Sequence, residues 1–309
     1  MPPNPNYNEL SAITEKYFVP KLVDNVFASN ALFQRIKKGK MYELVTSGRS
    51  AVVPLAYATT SAAGRFSGSD VLDTSSNEQF TAAEFNWKQY YANITVTRAD
   101  EIVNSGKHAI VNFVKSKVQI AEKTLSDLLG TDLFGTGSVA NSIVGLEAMI
   151  AGSGTTYGGI SKTAYSWWRG QTDAVTAALT LAAMRSLTGD CTIDSDKPSM
   201  YVTIQDFYDD LVNQMQPMQR FQDKETASAG FTNILYEGKP VVVDSHCGSS
   251  DLFALNEKYI SLLAQKAENF RFEPFIKPTN QNISVAKIYW MGALTCSNPR
   301  MQGWMSNLS

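Results

Sequence analysis

The residues best suited to chemistry lie in GSGTTYGGISKT, from Gly152 to Thr163. Gly154 and Gly159 have the spacing of a phosphate-binding loop, Lys162 and Thr163 follow, and a VVVD run ends at Asp244, a candidate magnesium-binding carboxylate. Such a loop works when it leaves a strand, when its lysine directly follows the last glycine, and when a helix begins there to aim amide N–H groups at the phosphates. Here Ile160 and Ser161 intervene, the segment before Gly152 has a helical pattern, and the aromatic run YSWWRG comes next. The stretch reads better as a connection whose glycines permit turns of positive φ. Asp244 then ends the second strand of a hairpin that begins at ILYEGKP. A P-loop-like nucleotide hydrolase using Lys162 and Asp244 is the lesser alternative.

The other reactive groups give no constellation. DSHC, Asp244 to Cys247, combines an acid, a hydroxyl, an imidazole and a thiol, but adjacent side chains of an extended segment point to opposite faces, which separates His246 from Cys247. His108 is the only other histidine, and no HExxH or paired Cys/His spacing suggests zinc. Asp209 and Asp210 diverge by about 100° on a helix, and TIDSDK around Asp194 and Asp196 lacks the glycine and closing glutamate of a calcium loop. Trp167 and Trp168 could stack on a base, yet Arg169 is their only basic neighbour, so packing or subunit contact is the better reading. The sequence thus predicts no catalytic residue, no metal and no cofactor.

The elements that would position these groups are more informative. After a Pro-rich start, Leu22, Val23, Val26 and Phe27, then Leu32, Phe33 and Ile36, have helical spacing. YELVTSGRSAVVPLAYA and FNWKQYYANITVT are strand-like and flank a long Ser/Thr/Gly/Ala stretch from Thr59 to Phe80. They pair most simply as one long hairpin, which is marginal alone and must lie on another surface, such as a neighbouring copy. A long amphipathic helix follows, with Ser105 as cap, Ile110 through Leu128 on its apolar face and Gly130 as stop. Thr172 to Leu187 reads as an alanine-rich helix, SMYVTIQDFYDDLVNQMQ as a strand followed by a helix from about Gln205, and the tail returns to strands.

Composition bounds the function. The 309 residues are 44% hydrophobic, enough for a large core, and the formal charge is −2, which argues against nucleic-acid attraction as the main activity. Cys191, Cys247 and Cys296 are too few and too scattered for a disulfide framework. No basic-then-apolar leader is apparent, and the run AVTAALTLAAM is too short to cross a bilayer, so the reading is a soluble product with no membrane partner.

The order of arm, hairpin, long helix, mixed domain and closing strands resembles the major capsid proteins of tailed bacteriophages, those with the Hong Kong 97 fold. ANITVTRADEI before the helix, FGTGSVANSIVGLEAMIAGSGTTYGGISKTAYSWWRG after it and the terminal VAKIYWMGALTCSNPRMQGWM look specifically similar, and the likeness spans nearly the whole chain. The resemblance implies an α+β fold with an N-terminal arm and helix (1–40), an extended β-hairpin loop (41–97), a peripheral domain with a spine helix (98–139), an axial domain (140–269) and closing strands of the peripheral domain (270–309). It implies a structural protein, not an enzyme, that assembles in the host cytoplasm into the pentamers and hexamers of an icosahedral virion shell. That shell encloses double-stranded DNA without sequence-specific binding.

The implied partners are further copies of the chain, a portal protein, a separate scaffolding protein and, as a further candidate, a decoration protein. Scaffolding would be separate because only about forty residues precede the loop. The prototype cross-links its shell through a loop lysine, whereas no lysine lies between Lys40 and Lys88, so buried area, charge pairs or decoration would hold this one. Arg49, Arg65, Asp70, Glu84 and Trp87 are the candidate inter-subunit contacts. An encapsulin-type cellular compartment of the same fold is the alternative.

Overall fold

Leu32, Phe33 and Ile36 are buried on one face of α1 (Ala31–Lys38), as their spacing requires. The computed structural model describes residues 31–38, 41–103, 107–219 and 234–309; the apolar set at Leu22 to Phe27 and the cap at Ser105 lie outside them. After α1 come β1 (Tyr42–Val45), β2 (Ser50–Ala56), β3 (Phe80–Asn86), β4 (Lys88–Thr97), the short α2 (Arg98–Val103) and the long α3 (Lys107–Phe134). Then follow α4 (Leu146–Ile150), β5 (Thr156–Tyr157), β6 (Ile160–Ser161), β7 (Gln171–Ala174), α5 (Leu181–Asp190), β8 (Met200–Thr203) and α6 (Gln205–Gln219). The chain closes with β9 (Leu235–Tyr236), β10 (Lys239–Val243), β11 (Leu252–Leu255), β12 (Ile260–Gln265), β13 (Arg271–Ile276), β14 (Ile283–Cys296) and β15 (Gly303–Ser306).

Tyr90, Ala92, Ile94 and Val96 of β4 are buried while the residues between them are exposed, the period of two of a half-buried strand. That face packs into a core with the apolar side of α3, while the edge of the strand is satisfied by β14, antiparallel to it from Lys88 opposite Gly292 to Thr97 opposite Ile283. The single long hairpin expected from sequence is therefore not formed. Only β2 and β3 pair with each other, Ser50 with Asn86 through Ala56 with Phe80, while β1 runs parallel to β12. A two-stranded ribbon buries little, and sending its outer ends into a sheet buries the apolar residues it would leave in water.

The result is two main sheets. One is five-stranded, with β1, β12 and β14 in order and both β13 and β4 on β14. The other has the order β7-β15-β11-β8-β10-β9. The expected domain limits do not coincide with these sheets: β12 falls within 140–269 yet pairs with β14, and β15 falls within 270–309 yet lies between β7 and β11. Likewise, Gln171–Ala174 is not the start of a helix but a strand parallel to β15, and α5 begins only at Leu181, where the Thr180 side chain accepts from Ala183 N. Pairing with a neighbouring strand outweighs the weak helical propensity of that segment.

Every residue of β8 and of β11 is buried, because this sheet is covered on both faces. Met200, Val202, Phe253 and Leu255 face a core shared with α1, α3, β4, β12 and β14, whereas Tyr201, Leu252 and Ala254 face a second core beneath α5 and α6. Along α3, Val114, Val118, Ala121, Leu125, Leu129 and Leu133 line the first core. The expected stop at Gly130 is passed, since burial of Leu133 and Phe134 outweighs the cost of about 1 kcal/mol for a glycine within a helix. Tyr90 Oη donates to Asp132 Oδ2 at 2.6 Å and accepts Ile143 N at 2.7 Å, pinning the end of α3 to β4 and to the chain that leaves it. No helix among the described residues is long and apolar enough to cross a membrane.

Candidate assembly interface

The glycine-rich stretch turns out to be the seat of the β2–β3 arm. β5 and β6 form a minimal hairpin whose turn places Gly158 and Gly159 at φ of 57° and 77°. Glu84 N of the arm donates to Gly158 O at 2.9 Å, and a Cβ on Gly158 would stand 2.8 Å from that of Ala83. Glycine is thus required there twice, for the left-handed turn and for the close approach of the arm. Phe85 packs edge-on against Tyr157 at 5.0 Å between ring centroids, and Tyr57 stacks on Trp167 at 5.6 Å. The base of the arm accordingly rests on its own chain, where the sequence had suggested a surface on another.

Lys162 holds this seat in place. It is fully buried, and its Nζ donates to the carbonyls of Ala148, Met149 and Ala151 at 2.8, 2.8 and 2.7 Å, capping the C-terminal end of α4. Burial lowers its pKa to about 8, so at neutral pH it keeps the three protons that three acceptors need. Arg169 donates to Lys162 O and to Thr163 O, and the buried Trp168 donates from Nε1 to Tyr157 O at 2.9 Å. Both tryptophans therefore serve packing, and Lys162 is closed to phosphate.

The remaining sequence candidates are dispersed. The Asp244 carboxylate is buried and accepts two backbone amides, Leu32 N on Oδ2 at 3.1 Å and His246 N on Oδ1 at 3.0 Å, so it holds the start of α1. The Cys247 thiol turns away to Asp251 O at 3.6 Å. All three cysteines are buried free thiols, and burial pushes Cys191 and Cys296 up to about 12. Asp209 accepts Gln205 Nε2 within α6, and Asp194 sits in a left-handed turn at φ 53°. Lys162 and Asp244 are each committed to backbone partners, which overturns their reading as a nucleotide site.

Of the five candidate contacts, Glu84 and Trp87 lie at the base of the arm. Glu84 Oε1 accepts Ser50 Oγ at 2.6 Å and Trp87 Nε1 donates to Gly48 O at 2.9 Å, both tying the arm together. Arg49 is exposed beside them. Arg65 and Asp70 are at the other end, on the tip, where Asp70 accepts Ser67 N at 2.7 Å. The stem of the arm continues past the strands through Tyr57 N to Gln79 O and Asn77 Nδ2 to Thr59 O. Beyond it Phe66, Val71 and Leu72 are exposed, Val71 by 98%, and Phe80 and Val52 are exposed on the outer face of the ribbon. Neither these apolar residues nor Tyr157 and Gly158 stood out in the sequence; for the last two the signal was the Gly158-Gly159 pair directly after an aromatic residue.

No family model matches the chain, and no curated protein does. Among solved structures, the capsid asymmetric unit of cyanophage A-1(L) is similar at 13% identity with a TM-score of 0.62, over 88% of this chain and 92% of that one. The chain has the Hong Kong 97-type capsid fold. Other structures with this fold include the capsid of the native GTA particle, at 10% identity and a TM-score of 0.58 over 87% of this chain and 89% of that one. The holo-SrpI encapsulin complex from Synechococcus elongatus is also similar, at 9% identity and 0.58 over 87% of this chain and 85% of that one.

Proposed function

We propose that this chain is a structural shell subunit and not an enzyme, the major capsid protein of a tailed bacteriophage. The observation that carries the reading is the tip of the arm, which bears Phe66, Val71 and Leu72 in water while its own hydrogen bonds are local. Apolar side chains held out on a projecting ribbon find cover in another molecule, and the shared fold makes further copies of the chain the natural cover. In this reading α3 and the five-stranded sheet form the peripheral domain, and the six-stranded sheet forms the axial domain around the five- and six-fold axes. Arg65 and Asp70 make charge contacts beside the apolar tip residues, while Arg49, Glu84 and Trp87 act at the base.

Each contact can be weak, because every subunit touches several neighbours and the effects multiply. The formal charge of −2 suits a container that encloses double-stranded DNA without sequence-specific binding and later releases it. The partners are a separate scaffolding protein, a portal and, where buried area alone is too small, a decoration protein; assembly takes place in the host cytoplasm. An encapsulin-type compartment is the second reading, supported by the similarity to the SrpI complex. The contents of purified particles, nuclease-protected DNA or a protein cargo, separate the two.

A double substitution tests the shell reading. Val71→Asp with Leu72→Asp leaves the subunit's melting curve unchanged and removes the fast-sedimenting assembled fraction. Assembly at the wild-type yield would contradict a contact role for the tip.

A further inference from the structure

Away from the arm, the chain crosses between the two sheets twice in its C-terminal part, from β11 to β12 through residues 256–259 and from β14 to β15 through 297–302. The crossings are bonded to each other. The Gln302 side chain, wholly buried, spans the backbone of Asn256: its Oε1 accepts Asn256 N at 2.7 Å and its Nε2 donates to Asn256 O at 3.1 Å. Ser297 N donates to Tyr259 O at 2.9 Å.

Two carboxylates complete the grip. Asp196, between α5 and β8, accepts Asn256 Nδ2 at 2.9 Å, Lys258 Nζ at 3.0 Å and Tyr259 Oη at 2.7 Å. Glu257 accepts Arg35 of α1 on both oxygens, at 2.6 and 3.2 Å, and Ser199 Oγ at 2.8 Å. Each residue of 256–259 is thus held by a side chain or backbone group from outside the crossing. A connection between sheets does not need this; loops normally solvate their polar groups. The bidentate Arg35 fork and the two-bond amide of Gln302 also fix orientation, not merely proximity.

We infer that Asp196, Glu257 and Gln302 form a latch that fixes the angle between the two sheets, so that a shell built from the chain takes one curvature. The inference rests on the shell-forming reading. A closed shell repeats the same subunit around its symmetry axes, so a change of angle in each subunit alters closure and size. Arg35 brings α1, which leads into the arm, into the same grip.

The test compares particles of the wild type, Asp196→Ala, the milder Glu257→Gln, and Ile288→Val, a core change distant from the crossings. Electron microscopy should give one diameter for the wild type, several diameters or open sheets for both latch variants, and one diameter for Ile288→Val despite a lower melting temperature. Latch variants with the wild-type diameter would overturn the inference. If the wild type builds no particles even when co-expressed with a scaffolding protein, the shell reading fails, and hydrogen exchange on the subunit decides the latch. Asp196→Ala then raises exchange at the amides of 256–259 about tenfold, the effect of losing roughly one charge-assisted hydrogen bond; unchanged protection would overturn it.

Discussion

Lys162 shows how far a residue's chemistry depends on what surrounds it. Its type and position suit a phosphate loop, yet its ammonium caps the end of α4. Lys162→Ala leaves three buried carbonyls without their donor, and unfolding in denaturant should show a loss of about 2–4 kcal/mol. ATP turnover should be undetectable in both proteins. Asp196 makes the corresponding prediction for pH. Its hydrogen bonds from Asn256, Tyr259 and Lys258 hold its pKa at about 2, below the ordinary 3.8. As pH falls the unfolded chain takes up the proton first, so the stabilisation is complete above about pH 4 and is lost through about pH 2. The melting temperature of the wild type should fall more steeply across that window than that of Asp196→Asn; parallel curves would contradict the assignment.

At the scale of elements, the arm and its seat depend on one glycine far more than on its neighbour. Gly158→Ala meets both a positive φ and Ala83, whereas Gly159→Ala meets a positive φ in open space. The first should cost about 2–4 kcal/mol and quicken proteolysis within the arm, and the second about 1 kcal/mol with no such effect. Equal losses in thermal melts would contradict the seating of the arm on 158. The strands on either side of this seat were legible from sequence because alternation in KQYYANITVT is a local signal. Their partners were not: nothing local in β4 distinguishes β1, its expected mate in a single hairpin, from β14, and the choice is made by burial of Tyr90, Ile94 and Val96 in a shared core. The passage of α3 through Gly130 and the strand at Gln171–Ala174 were missed for the same reason, that a tertiary contact overrides a weak local preference.

For the whole molecule, the two sheets are interleaved in sequence, since β1, β4 and β12 to β14 build one while β7 to β11 and β15 build the other. The order of elements carried the fold, through its resemblance to capsid proteins, but linear domain limits could not describe sheets that exchange strands. The tip stays outside both cores, and its exposed Val71 and Leu72 make sense when a second copy covers them. The most direct test is sedimentation of the purified chain, alone and co-expressed with a candidate scaffolding protein, with negative-stain microscopy of the fast fraction. Closed shells, or rings of five and six subunits, are the predicted result. A chain that remains a monomer even with scaffold present would contradict the account.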